Sequence, residues 1–195
     1  MIFTVSSAVS QSSEANTLTF QDTPIKQVVV DGKWSKGVIA NDVDSAKGTI
    51  YFSETSPDQF AIAVLNRSIT PATEQILTAT TVGGLSATQL SELMSAHNPT
   101  ILRYCAERGK PKLMQVGKKK LLVNSFSQEE RLHIATAQGA VCTPAVKYEA
   151  HAFAVANKKL VHIYLVRPVS AEKQDSLLNT ISEKFDSILS KIEWE

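Results

Sequence analysis

Cysteine, glycine and any excess of one charge are scarce in this chain. Two cysteines, Cys105 and Cys142, stand among 195 residues. Neither belongs to a CxxC pair, which excludes a thiol-redox motif and a zinc ribbon. Of the 8 glycines, only Gly83-Gly84 are adjacent. They read as a turn, and no Gly-rich phosphate loop exists. Twenty Lys and Arg against 19 Asp and Glu leave a formal net charge of +1. Holding nucleic acid or an anionic membrane takes concentrated cations, so neither is expected as a partner. The one basic run, "GKKKLL" from Gly117 to Leu122, sits between apolar stretches and reads as a hairpin turn. No apolar run approaches the ~20 residues that a membrane-spanning helix needs.

What is present describes an ordinary globular chain, 43% hydrophobic and 20% charged. A chain of this length buries a sizeable core without metal or disulfide support, and one domain is expected. Residues 1–16 form a polar stretch rich in Ser, Thr and Ala, read as flexible, and residues 17–195 form the domain. The polar stretch lacks a basic n-region and an apolar core, so it does not read as a signal peptide as written. Its composition resembles the tether of an exported protein after cleavage. Met1 fits either a native cytosolic start or a start placed before a mature sequence.

The hydrophobic pattern predicts strands first. "TLTF" (Thr17–Phe20), "IKQVVVDGKW" (Ile25–Trp34) and "KGVIAND" are separated by turn signals at Asp31-Gly32 and Asn41-Asp42. "KGTIYFSE" (Lys47–Glu54) and "QFAIAVLNRS" (Gln59–Ser68) flank the turn "TSPD". The second of these is apolar on both faces and belongs inside a sheet. From Ser86 the period becomes helical, with Leu90, Leu93 and Met94 on one face, an interruption at Pro99 and a stop at Gly109. Strands return in "KPKLMQV", "KKLLVNSFSQ" and "RLHIATAQGAVCT". In "KYEAHAFAVANKKLVHIYLVRP", Ala150, Ala152, Ala154 and Ala156 alternate with His151, Phe153 and Val155. "ANKK" turns the chain into a second strand carrying His162 and Tyr164 on one face.

The chain closes on Leu177, Leu178, Ile181, Phe185, Ile188, Leu189 and Ile192, at helical spacing. This predicts a helix from about Ala171 to about Lys191, with Ser170 as N-cap and Glu172 in the first turn. Phe185 and Ile188 are structural residues of its buried stripe. Trp194 is expected as the last core contact, holding the terminus. The predicted class is α+β: an antiparallel sheet flanked by a central helical segment and a long C-terminal helix.

Several constellations carry chemical options. Ser170 and Lys173 have the Ser-x-x-Lys spacing of some serine hydrolases, but a helix cap with a solvated lysine explains them better. His97, Cys105 and Cys142 offer a Cys-His site, against the commoner reading of a histidine beside a helix break. His133, His151 and His162 fall on predicted strands with Glu149 the nearest carboxylate. Their surroundings read as half-buried sheet positions rather than metal ligands. Asn66 heads a glycosylation sequon that an interior strand would hide. No catalytic, cofactor-binding or metal residue is assigned. Cys105 and Cys142 are either a single disulfide in an oxidising compartment or two buried thiols, the reading favoured without a leader.

"SATQLSELMSAHNPTILRYCAER", the turn "VGKKKLLVNSF", the hairpin "AHAFAVANKKLVHIYLVRP" and the terminal "FDSILSKIEW" together resemble the Mog1/PsbP-like superfamily, which includes DcrB-type bacterial lipoproteins. The resemblance spans about Leu85 to Trp194 and extends more loosely to the first half. It implies an α/β/α sandwich and a protein that binds another protein without catalysis, using no cofactor. Superfamily members include a nuclear-transport cofactor for a small GTPase, a photosystem extrinsic subunit, secretion-system chaperones and envelope proteins. The expected role is an accessory subunit, chaperone or toxin-neutralising immunity protein of a bacterial envelope, periplasmic in its mature form, with a cytoplasmic location as the alternative. The other reading is a small hydrolase whose site the motifs do not reveal. The superfamily has no shared catalytic motif, so the resemblance carries over no site residue.

Overall fold

The computed structural model describes residues 15–38, 47–69, 71, 74, 77, 109–129, 134–136, 139–141, 145–169 and 177–195. Its frame is a seven-stranded sheet. The strands are β3 (Trp34–Val38), β4 (Lys47–Ser53), β5 (Gln59–Ser68), β6 (Lys112–Val116), β7 (Lys119–Glu129), β10 (Ala145–Ala156) and β11 (Lys159–Pro168). Their order is β3-β4-β5-β11-β10-β7-β6, and every neighbouring pair is antiparallel. The longest hairpin, β10–β11, has the register Ala152↔Ile163 and closes on Asn157 and Lys158. Both turn residues have positive φ, 51° and 60°, as a two-residue turn matching the strand twist requires. The β6–β7 turn places Gly117 at φ 58°, where a residue without Cβ is unstrained.

Alternation along these strands makes two different faces. Tyr148, Ala150, Ala152 and Ala154 of β10 share one face with Val161, Ile163 and Leu165 of β11 and Phe60, Ile62 and Val64 of β5. Helix α1 (Leu178–Ser190) lies on this face, touching β7, β10 and β11. The alanines leave room for it, and Ile181, Phe185 and Leu189 are fully buried there. Each such side chain contributes roughly 1.5–3 kcal/mol by leaving water. The opposite face carries Leu65, Leu122, Phe126, Phe153 and Leu160, packed with Leu77. Pro71, Glu74 and Leu77 are helical.

A second sheet pairs β1 (Ala15–Thr19), β2 (Ile25–Asp31) and β12 (Ile192–Trp194) in the order β1-β2-β12. Helix α1 also touches β2, so it lies between the two sheets. Tyr51 of β4 ties them together: its hydroxyl donates to the Thr19 carbonyl at 2.6 Å and accepts from the Thr19 N–H at 3.2 Å. A small hairpin, β8 (Ile134–Thr136) and β9 (Gly139–Val141), stands as a separate two-stranded sheet.

The class is therefore mixed α+β with antiparallel sheets. The predicted central helical segment lies outside the described residues, except for its terminal Gly109. Three expectations are corrected. The C-terminal helix begins at Leu178, because Leu177 at φ −97° and ψ 6° is its N-cap position and carries no side-chain cap. Ser170 is too far upstream to cap it. Ile192, counted with the helical spacing, instead opens β12 (Ile192–Trp194) against β2, opposite Val28. "RLHIATAQGAVCT" contains the β8–β9 hairpin rather than one strand.

Candidate functional site

The sheet holds two buried polar clusters, one on each face. On the face away from α1, side chains of β10 and β11 interleave into a stack of rings. Register places His151 opposite Tyr164 and Phe153 opposite His162, so the two histidines are diagonal neighbours. Their rings are parallel, with centroids 5.0 Å apart. Phe126 stacks on His151 at 5.0 Å, and Phe153 on His162 at 4.6 Å. Tyr164 lies 4.9 Å from His162. His151 Nδ1 is 2.8 Å from His162 Nε2, and His151 Nε2 is 3.3 Å from Glu149 Oε2. The other carboxylate oxygen, Oε1, meets Lys147 Nζ at 2.6 Å.

Glu149, His151 and His162 are only 3%, 5% and 4% exposed. Burial pushes the Glu149 carboxyl up, but hydrogen bonding to His151 and the charges of His151 and Lys147 outweigh it. The group is held below the usual carboxylate range. Burial raises the Tyr164 hydroxyl, and the Glu149 charge raises it further. Among the described residues no three His, Cys, Asp or Glu side chains are arranged to hold a metal ion. The two histidines bond directly to one another, which commits the lone pair a metal would need at that contact.

On the α1 face, Asp58 sits in the turn before β5 with its carboxylate fully buried. Arg167 of β11 grips it with Nε to Oδ1 at 2.6 Å and Nη2 to Oδ2 at 2.8 Å. Lys184 of α1 donates to Oδ2, and Ser56 Oγ donates to the same atom at 2.9 Å. Burial raises the Asp58 carboxyl, but the donated hydrogen bonds and charges of Arg167 and Lys184 bring it below its ordinary value. Lys184 Nζ also lies 5.6 Å from the centroid of the Trp34 ring. Turn, strand and helix are thus fastened at one carboxylate.

Among the described residues, two hollows are outlined. One of about 320 Å³ lies between β2 and α1, lined by Val30, Trp34, Lys184, Ser187, Ile188 and Lys191 with Asp31. The other, about 690 Å³, is an open depression beside the β1–β2 and β10–β11 turns, lined by residues including Asp22, Lys159 and Glu195. Asp58, Glu149, His151 and His162 line neither.

Of the residues singled out in the sequence, the fold brings together His151, His162 and Glu149. Cys105, Cys142, His97, His133, Ser170 and Lys173 lie outside the described residues. Phe185 is fully buried, Ile188 is 5% exposed, and Trp194 packs partly buried against the same core. A Cβ on Gly117 would sit 3.9 Å from the Trp194 ring. Asp58 was read only as part of the turn "TSPD". The sequence signal was a carboxylate just ahead of an apolar strand, whose Phe60, two positions on, is buried like Asp58.

An antiparallel sheet covered by a C-terminal helix, with a short strand returning after that helix, is the Mog1/PsbP-like fold. Two particular solved structures are among those it resembles. Cyanobacterial PsbP (CyanoP) from Synechocystis superposes with a TM-score of 0.59 at 9% identity, covering 98% of each chain. The Ran-binding protein Mog1p of Saccharomyces cerevisiae superposes with a TM-score of 0.52 at 10% identity, covering 94% of this chain and 96% of that one. No family model matches the chain, and no curated protein matches it in sequence. At such identities the likeness establishes the fold.

Proposed function

We propose that this chain is a non-catalytic protein-binding domain of a bacterial envelope, acting as an accessory subunit, a chaperone or a toxin-neutralising immunity protein. The observation that carries the reading is a fold shared over nearly the whole chain with a protein named for binding Ran. The placement of the buried charges supports it. Asp58 and Glu149 are each tied to cations of the fold, Asp58 to Arg167 and Lys184 and Glu149 to Lys147.

The test is affinity capture from the native host after cell fractionation, followed by titration of the purified pair by calorimetry. Saturable binding to one purified envelope protein is the expected result. Ser170→Ala, Cys105→Ser and Cys142→Ser should leave that affinity unchanged. Turnover of an ester or peptide substrate by the purified chain, abolished by one of these substitutions in folded protein, would establish the hydrolase reading instead. Intact mass after alkylation, with and without reductant, decides the Cys105–Cys142 disulfide. A bonded pair in protein from the native envelope fits export, and two alkylated thiols there remove that argument.

A further inference from the structure

A hydrogen bond between two imidazoles has room for one proton at the contact. With His151 and His162 both neutral, His151 donates from Nε2 to Glu149 and accepts at Nδ1 from His162 Nε2. A first added proton fits the same geometry. His151 then becomes an imidazolium donating to Glu149 and to His162, and His162 accepts at Nε2. A second added proton does not fit. Both facing nitrogens would carry hydrogen at 2.8 Å, with two cations in a buried ring stack.

We propose that the His151–His162 pair is an acid switch in the sheet: it holds no more than one extra proton while the two rings remain bonded, and uptake of the second parts them and loosens the β10–β11 hairpin. The two steps belong to the coupled pair rather than to either ring, and the second lies at lower pH than the first. The groups around the pair set that order. Glu149 and Lys147 face it from β10, and Tyr164 from β11. Among the described residues, β7 offers only Asn124 and Phe126 beside His151 and Glu149, and β5 only Ala61 and Ala63 beside Tyr164 and His162. Leu77 packs in the same cluster, with Glu74 exposed one turn before it. The carboxylate that touches His151 also bonds Lys147, so its charge is divided between that cation and an imidazolium.

The experiment follows the histidine ring nitrogens by ¹⁵N NMR from pH 8 to 4, together with amide exchange at Ala150, Ala152 and Ile163. Two coupled steps are expected at the paired nitrogens. Exchange at those three amides, corrected for its intrinsic pH dependence, should rise roughly tenfold or more at the lower step, because the hairpin opens locally. His162→Gln keeps a donor to His151 Nδ1 but cannot become a second cation, and should abolish the lower step. If that variant does not fold, His151→Gln makes the same test from the other side. Independent titration of the two rings, or an amide transition that persists in the folded glutamine variant, overturns the proposal.

Discussion

Asp58 and Arg167, 109 residues apart in sequence, meet through two hydrogen bonds of 2.6 and 2.8 Å. Parallel contacts of this kind fix the angle between partners as well as their distance. Here they fix the turn before β5 against the end of β11, and Lys184 brings α1 to the same carboxylate. Asp58→Ala should leave both cations without their acceptor. The expected loss is on the order of 3 kcal/mol, the low end for a broken buried pair, because Lys184 keeps about a third of its side chain in water. Urea denaturation measures it, and a loss below about 1 kcal/mol would mean the cations find water instead.

The same carboxylate contributes to acid sensitivity. Asp58 and Glu149 are both held below their ordinary values in the fold, whereas in the unfolded chain they titrate normally. Their stabilisation is therefore complete above the ordinary carboxylate range and lost as pH falls through the lower, folded values. In a His162→Gln background, which removes the lower histidine step, the melting temperature should fall as pH drops below about 4. Adding Asp58→Asn should lower the melting temperature at neutral pH and flatten the acid limb. An unchanged acid limb would place the acid sensitivity in other groups.

Helix α1 is held by packing rather than by its ends. It has no side-chain cap, no acidic residue in its first turn and no basic residue in its last. Phe185→Ala, at a fully buried position in the core shared with β10, should cost about 3–5 kcal/mol. Glu183→Ala, on the exposed side, should stay within about 0.5 kcal/mol. Deleting residues 177–195 removes the helix and β12 together and should give unfolded or insoluble protein. Calorimetric melting of the three variants checks the order, and a truncated chain that melts like the parent would refute it.

The same contrast between local and distant causes explains what could be read from the sequence. The β10–β11 hairpin was legible because period-two alternation and the turn "ANKK" lie within one continuous segment, and that alternation also put His162 and Tyr164 on one face. The stripe of α1 was legible for the same reason. β12 was not, because Ile192 follows Ile188 by four residues and continues the helical spacing. What makes it a strand is β2, more than 160 positions away, reached through Ile192↔Val28. The Asp58 cluster had no local signature either, since its partners come from β11 and α1. The hydrogen bond between His151 and His162 depends on a diagonal register that alternation alone does not supply.

One close approach tests the packing between the start of β6 and the helix. The Gly109 N–H donates to the Ser125 carbonyl at 2.8 Å, which holds the chain against β7. A Cβ on Gly109 would lie 2.3 Å from Ser125 Oγ but 3.6 Å from Ser125 Cβ. The hydroxyl is not free to swing aside without loss, because it is hydrogen-bonded to Ser182 Oγ of α1 at 2.7 Å. Gly109→Ala should therefore cost about 1–3 kcal/mol, as overpacking does. Ser125→Ala alone should cost about 1 kcal/mol for the lost hydrogen bond. Together the two should cost less than their sum by about 1 kcal/mol or more, because removing the hydroxyl removes the clash. Denaturant melts of the single and double variants complete the cycle. Additive costs would show that the backbone at Gly109 shifts instead, and that Ser125 and Ser182 do not feel the added methyl group.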